Sequence, residues 1–171
     1  MASSARSLYV GAAQIAIGDQ LANNLNQILA SMARGAAKGL EVLVYPEAAL
    51  TGYSPYLGRG RQPSEWEAIS EALDHVAARC AELGLWVALG CEAWTGEAWA
   101  NRMVVFSDVG TLAATYDKMH LTHSDRSYYA AGTQVAVFDL RSVRVGLQIC
   151  YDVRFPEGYR ALLDQGAEVI L

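Results

Sequence analysis

Apolar and polar positions fall into short blocks along the chain, and the period of each block changes at a glycine, a proline or an acidic residue. Leu8 to Ile17, LYVGAAQIAI, is an apolar run that predicts a first strand. Leu21, Leu25, Ile28, Leu29, Met32 and Ala36 then recur at helical spacing. They predict a helix capped by Asp19 and running to about Lys38, with Gly39 as its stop. Glu41 to Tyr45, EVLVY, is apolar with little alternation, as expected of a strand covered on both faces. Pro46 ends it, and Glu47 follows. Thr51 to Pro63, rich in Gly, Pro and Tyr, predicts a loop over a cleft. Ser64 with Glu67 has the spacing of a capping box and opens a helix to Leu83, with Trp66, Ile69, Leu73, Val76 and Cys80 along one side and Gly84 at its end.

The second half is richer in strands. Leu85 to Trp94 is one, and Ala100 to Ser107 and Thr111 to Asp117 form a hairpin through Asp108, Val109 and Gly110. After a loop from Lys118 to Gly132 come a short strand near Val135 to Phe138 and a core strand opening at Val143. The stretch VRVGLQICYDVRFPE, Val143 to Glu157, reads as that buried strand, a sharp break at Cys150, and a helix that starts at Pro156 and runs to Gln165. Glu168 to Leu171 begins another strand where the sequence stops, so the chain is expected to be part of a longer protein. No repeat or linker divides the 171 residues, and the largely alternating elements predict one α/β layered domain over residues 1–171.

Composition narrows the classes of function. With 53% hydrophobic and 18% charged residues the chain is globular in type, not disordered. A formal net charge of -5 with no basic stripe argues against a nucleic-acid footprint or binding to an anionic membrane surface. The N-terminal MASSARSLYV lacks the apolar core of a secretory leader, and no apolar run approaches a membrane-spanning length. A cytoplasmic location is therefore expected. Cys80, Cys91 and Cys150 include no C-x-x-C pair, so neither a disulfide framework nor a metal or cofactor site is predicted.

Three polar residues follow predicted strands: Glu47 after VLVYP, Lys118 after LAATYD, and Cys150 after GLQI. Ligands of open α/β sheets gather at that edge, so the three can share a cleft. Their chemistry is complementary. A carboxylate can take the thiol proton, the thiolate can attack a carbonyl, and an ammonium can hold the developing oxyanion. Taken singly, each has a plainer reading: Cys150 as apolar core filler, Glu47 as a solvated strand end, Lys118 as a surface lysine. His120 is a candidate base, while His75 and His123 have less to recommend them. Gly58-Arg59-Gly60 lacks the strand and helix flanks of a phosphate loop.

VLVYPEAALTGY resembles the first motif of the nitrilase superfamily of carbon-nitrogen hydrolases, YDKMHL its lysine motif, and GLQICYDVRFPE its cysteine motif, in the family's order. The resemblance implies an αββα sandwich that continues past Leu171, so that about a C-terminal third is lacking. It implies Cys150 as nucleophile, Glu47 as general base, and Lys118 with the Tyr151 backbone N–H as oxyanion donors. Asp125, ahead of Arg126, fills a position at which the family carries a longer glutamate. Tyr53 and the Ser54 to Arg61 loop are expected to border the substrate. Tyr151-Asp152 after the cysteine is similar to the amidase and carbamoylase branches, which implies a small amide or N-carbamoyl substrate and a homo-oligomer. Nitrile hydrolysis, a catalytically silent binding or scaffold protein of the same fold, and a generic α/β domain stand as alternatives.

Overall fold

Two amphipathic helices and a sheet share the larger of the molecule's two cores in the computed structural model, which describes residues 7–171. The first six residues, part of the segment read above for a leader, lie outside the described residues. Helix α1, Leu21–Ala37, buries Ile28, Ser31, Met32 and Gly35. Helix α3, Trp66–Leu83, buries Ile69, Leu73, Val76 and Cys80. Spacings of three and four residues put each set on one stripe, and both stripes face the sheet.

That sheet has five strands in the order β1 (Val10–Ala12), β2 (Val42–Val44), β3 (Trp86–Trp94), β4 (Trp99–Phe106) and β5 (Leu112–Asp117). The first three are parallel, and β3, β4 and β5 form an antiparallel meander. A second sheet has the order β6 (Val137–Leu140), β7 (Val143–Gly146) and β8 (Val169–Ile170), with β6 antiparallel and β8 parallel to β7. The two sheets face each other. Val42, Trp86, Ala88, Met103, Val105 and Tyr116 of the first pack on Phe138, Leu140, Val145, Leu147 and Ile149 of the second, with Trp86 stacked on Phe138 at 6.1 Å between ring centroids. Helix α4, Pro156–Asp164, covers the outer face of the second sheet by laying the fully buried Leu162 over Gly146. The result is the αββα sandwich.

Several elements differ in extent from the sequence reading. The first strand is three residues long, not Leu8 to Ile17, because the last bond to β2 is that of Ala13 N–H to Val44 at 2.8 Å; Ile15 serves the core without a strand partner. Asp19 does not cap α1. The cap position is Gln20, without a side-chain bond, and the turn is instead held by buried Asn24, whose amide spans Gly18 and Leu50. The reciprocal cap before α3 lies at Gln62 and Glu65, not Ser64 and Glu67: Gln62 N–H donates to Glu65 Oε2 at 2.7 Å, and Pro63 takes the first helical position. Within the Thr51 to Pro63 loop the chain makes one helical turn, α2, Ser54–Leu57. The strand before Cys150, β7, ends at Gly146, yet Leu147 N–H still bonds Ala136 at 3.1 Å and Gln148 N–H bonds Leu171 at 3.0 Å before the extended Ile149.

Candidate active site

Glu47 stands on a tight turn that the sheet edge itself shapes. Tyr45 N–H still bonds Ala88 of β3 at 2.8 Å, and Leu50 N–H bonds Gly90 at 3.0 Å, so the chain from Pro46 to Ala49 arches over β3. Ala48 takes φ 52° within that arch. The arch passes so close to Gly90 that a Cβ there would meet Pro46 O, lie 2.7 Å from Ala48 N and 2.9 Å from Glu47 Cα. Gly90 thus fixes where the Glu47 carboxylate can be.

Lys118 follows β5 directly. Its N–H bonds Asn101 of β4 at 2.8 Å, and its carbonyl accepts from Gly132 N–H at 2.9 Å, where a side chain would collide with Asp117. The lysine is fully buried, and its ammonium donates to Glu47 Oε1 at 2.7 Å and to Asp125 Oδ2 at 2.8 Å. Burial alone would lower the lysine pKa, but these two carboxylates outweigh it and hold the group firmly charged. Asp125 is likewise fully buried, in a single turn at Asp125–Ser127, and accepts also from Tyr53 Oη–H and from Thr122 N–H at 2.8 Å. Burial would raise its pKa; the bonds from Lys118, Tyr53 and Thr122 prevail and keep it below the usual carboxylate range. Asp125 therefore reaches the lysine although it is shorter than glutamate.

Cys150 opens a turn of 3-10 helix, Cys150–Arg154, between the extended Ile149 and α4, and sits at φ 47°. The left-handed backbone lifts the thiol out of the core, and Cys150 is exposed while Cys80 and Cys91 are buried. Burial at the cavity wall, then the negative charge of the nearby Glu47 carboxylate, push the thiol pKa up. Asp152 locks the turn. Its buried carboxylate accepts from Tyr116 Oη–H, His120 N–H and Ile149 N–H at 2.8, 2.8 and 3.2 Å, joining β5, the lysine segment and the cysteine turn.

Glu47 and Cys150 line one cavity of about 470 Å³ with Ile17, Tyr53, Tyr56, Leu57, Thr122 and Ser124. Of the residues singled out in the sequence, Glu47, Lys118, Asp125, Tyr53 and Cys150 are thus brought together. The Tyr151 ring turns away into a neighbouring cavity with His120, His123 and Phe155. His120 is not beside the thiol: its Nδ1 pairs with Asp152 at 2.8 Å and its ring stacks on Phe155 at 3.7 Å. His75 lies on the outer surface between α1 and α3. Among the described residues no group of His, Cys, Asp and Glu is arranged to hold a metal, and no helix is long and apolar enough to cross a membrane.

Three contributors escape the strand-end pattern. Asn101, buried in β4, donates to Glu47 Oε1 at 2.6 Å beside the lysine. Gly90 permits the Glu47 arch. Glu92, fully buried in β3, accepts from Ser54 N–H and Oγ–H at 2.8 and 3.0 Å, from Tyr129 Oη–H and from Arg61, and so anchors the loop that carries Tyr53 and Tyr56. The signal for two of them is present: Asn101 and Glu92 are polar residues inside otherwise apolar strands, and a buried polar group requires a partner.

Solved structures share this architecture. A mutant of the Nesterenkonia sp. AN1 amidase, in which acrylamide has added to the active-site cysteine, superposes with a TM-score of 0.86 at 21% identity over 96% of this chain and 65% of its own. Another mutant of that amidase, in complex with butyramide, gives 0.84 at 22% identity. The fold is that of the nitrilase superfamily. The carbon-nitrogen hydrolase family pattern matches residues 9–171, and the chain belongs to that family. An (R)-stereoselective amidase of a Pseudomonas species is 34% identical over 152 residues, which is 88% of this chain and 53% of the relative. A deaminated glutathione amidase of Yersinia enterocolitica is 26% identical over 92% of this chain and 59% of its own length. The chain thus spans between half and two thirds of the length of these proteins.

Proposed function

We propose that the protein hydrolyses the C–N bond of a small amide or N-carbamoyl compound through a thioester on Cys150. The observation that carries this reading is the placement of the Glu47 carboxylate, bonded to the Lys118 ammonium at 2.7 Å and lining the same cavity wall as Cys150. Glu47 takes the thiol proton as Sγ bonds to the carbonyl carbon, and the carbonyl π electrons move to oxygen. Two of the three Lys118 N–H groups serve the carboxylates, leaving the third to face that oxyanion. The backbone N–H of Tyr151, directly after the nucleophile, is the second donor. Collapse breaks the C–N bond, and Glu47 returns its proton to the departing nitrogen. Water, deprotonated by Glu47, then attacks the thioester; the C–S bond breaks, the acid leaves and the thiol is restored.

The amidase activities named for the Pseudomonas and Yersinia relatives, and the acrylamide carried on the cysteine of the Nesterenkonia amidase, support amide chemistry at this site. Ammonia release from a panel of small amides tests it. Turnover is expected from the unaltered protein and none from Cys150→Ala with its fold retained; amidase activity persisting in Cys150→Ala overturns the assignment. Removing one oxyanion donor, as in Lys118→Ala, is expected to cost about 100- to 1000-fold in kcat.

A further inference from the structure

Beside Glu47 and Cys150 the cavity wall is apolar and aromatic. Ile17, Tyr53, Tyr56 and Leu57 make it, and the two tyrosines meet edge to face with centroids 5.0 Å apart at 89°. Tyr56 is 90% exposed, so a large ring stands in the open at the mouth of the cavity. It is held there. The turn Ser54–Leu57 hangs from the fully buried Glu92 by two bonds from Ser54, and Arg61, itself bonded to Glu92, ties the far end of the loop to the same carboxylate. A ligand meeting this wall does not have to order it first, which favours binding.

The charges point the same way. The Lys118 charge is balanced by Glu47 and Asp125, its third N–H being left for the oxyanion, and the Arg61 guanidinium is paired with Glu92 and Glu65. Among the described residues that line the wall, the acidic group a ligand meets is the Glu47 carboxylate. A second carboxylate brought in on the substrate would lose water and face an anion.

We propose that this cavity selects uncharged amides with an aromatic or branched apolar substituent and turns away substrates that carry a carboxylate, N-carbamoyl amino acids included, with Tyr56 as the selecting side chain. The proposal rests on the amide-hydrolysing reading of the site and narrows it. Its test compares hydrocinnamamide with succinamate and N-carbamoylphenylalanine as substrates of the full chain. The expected result is kcat/KM at least about tenfold higher for hydrocinnamamide, lowered about tenfold through KM in Tyr56→Ala and restored in Tyr56→Phe. Equal or better turnover of either carboxylate, or an unchanged preference in Tyr56→Ala, overturns it. The same selection is read without turnover as protection of Cys150 from iodoacetamide. Protection by hydrocinnamamide and not by succinamate supports the proposal even where no amide is hydrolysed, a result that would sink the hydrolase reading alone. Equal protection by both, or by neither, overturns the selection itself.

Discussion

Lys118 Nζ and Asp125 Oδ2 stand 2.8 Å apart with both side chains fully buried, and Glu47 shares the same ammonium from the cavity side. The lysine is therefore a structural keystone as well as a candidate oxyanion donor. Removing one partner of a buried pair leaves an uncompensated charge, which costs about 3–5 kcal/mol. Lys118→Met is expected to lose stability on that scale in urea unfolding, whereas a surface change such as Lys38→Met stays within about 0.5 kcal/mol.

The same pair sets the shape of the pH-stability curve. Asp125 is held below its ordinary pKa, so its contribution is present above the unfolded value near ~3.9 and is lost as pH falls through the lower folded value. Lys118 is held above its ordinary pKa, so its contribution is present below the unfolded value near ~10.4 and fades as pH rises toward the folded one. Asp125→Asn is expected to flatten the acid limb of stability measured by urea midpoints between about pH 2 and 5. A limb of unchanged steepness would show that Asp125 is not the responsible group.

Alkylation separates the three thiols. Burial pushes Cys80 and Cys91 to about 12, whereas exposed Cys150 is raised by burial and by Glu47. Iodoacetamide is expected to modify Cys150 selectively, with a rate that rises with pH to a midpoint above the ordinary ~8.5 of a free thiol. Glu47→Gln removes the neighbouring negative charge, so this midpoint is expected to fall even though hydrolysis is lost. A midpoint that rises in Glu47→Gln would contradict the influence of the Glu47 charge on the thiol.

Gly90 offers a test of positioning at a distance from the thiol. A methyl group there meets the backbone of Pro46, Glu47 and Ala48, which has no room to yield. Gly90→Ala is expected to cost about 1–3 kcal/mol by overpacking and to displace Glu47 from Lys118. Loss of amide turnover together with weakened selectivity of Cys150 alkylation checks the displacement; full activity in a stable Gly90→Ala would refute it.

The outline of the molecule was legible because helical periodicity and uninterrupted apolar strands are local properties. The stripes of α1 and α3, the hairpin at Asp108 to Gly110 and the proline start of α4 follow from neighbouring residues. Glu47, Lys118 and Cys150 could be grouped because each follows a strand toward the same end of the layers. Gly90, Asn101 and Glu92 could not, since their meaning depends on which segment passes over them. Boundaries moved for the same reason. Ile15 is as apolar as Val10, yet the ladder to β2 ends before it. The reciprocal bond of Gln62 and Glu65 takes the place of the one expected at Ser64 because Pro63 sets the helical entry two residues earlier.

The left-handed backbone at Cys150 makes the proposed nucleophile a local liability to the fold that carries it. At φ 47° a residue with a Cβ pays a conformational cost that glycine escapes, on the order of 1 kcal/mol. Stability alone would place glycine at position 150, and Cys150→Gly is expected to resist unfolding better than Cys150→Ala. Reactivity requires the opposite choice. The surrounding lock of Tyr116, His120 and Ile149 on Asp152 is the compensation that lets the chain keep a strained residue at the cavity wall.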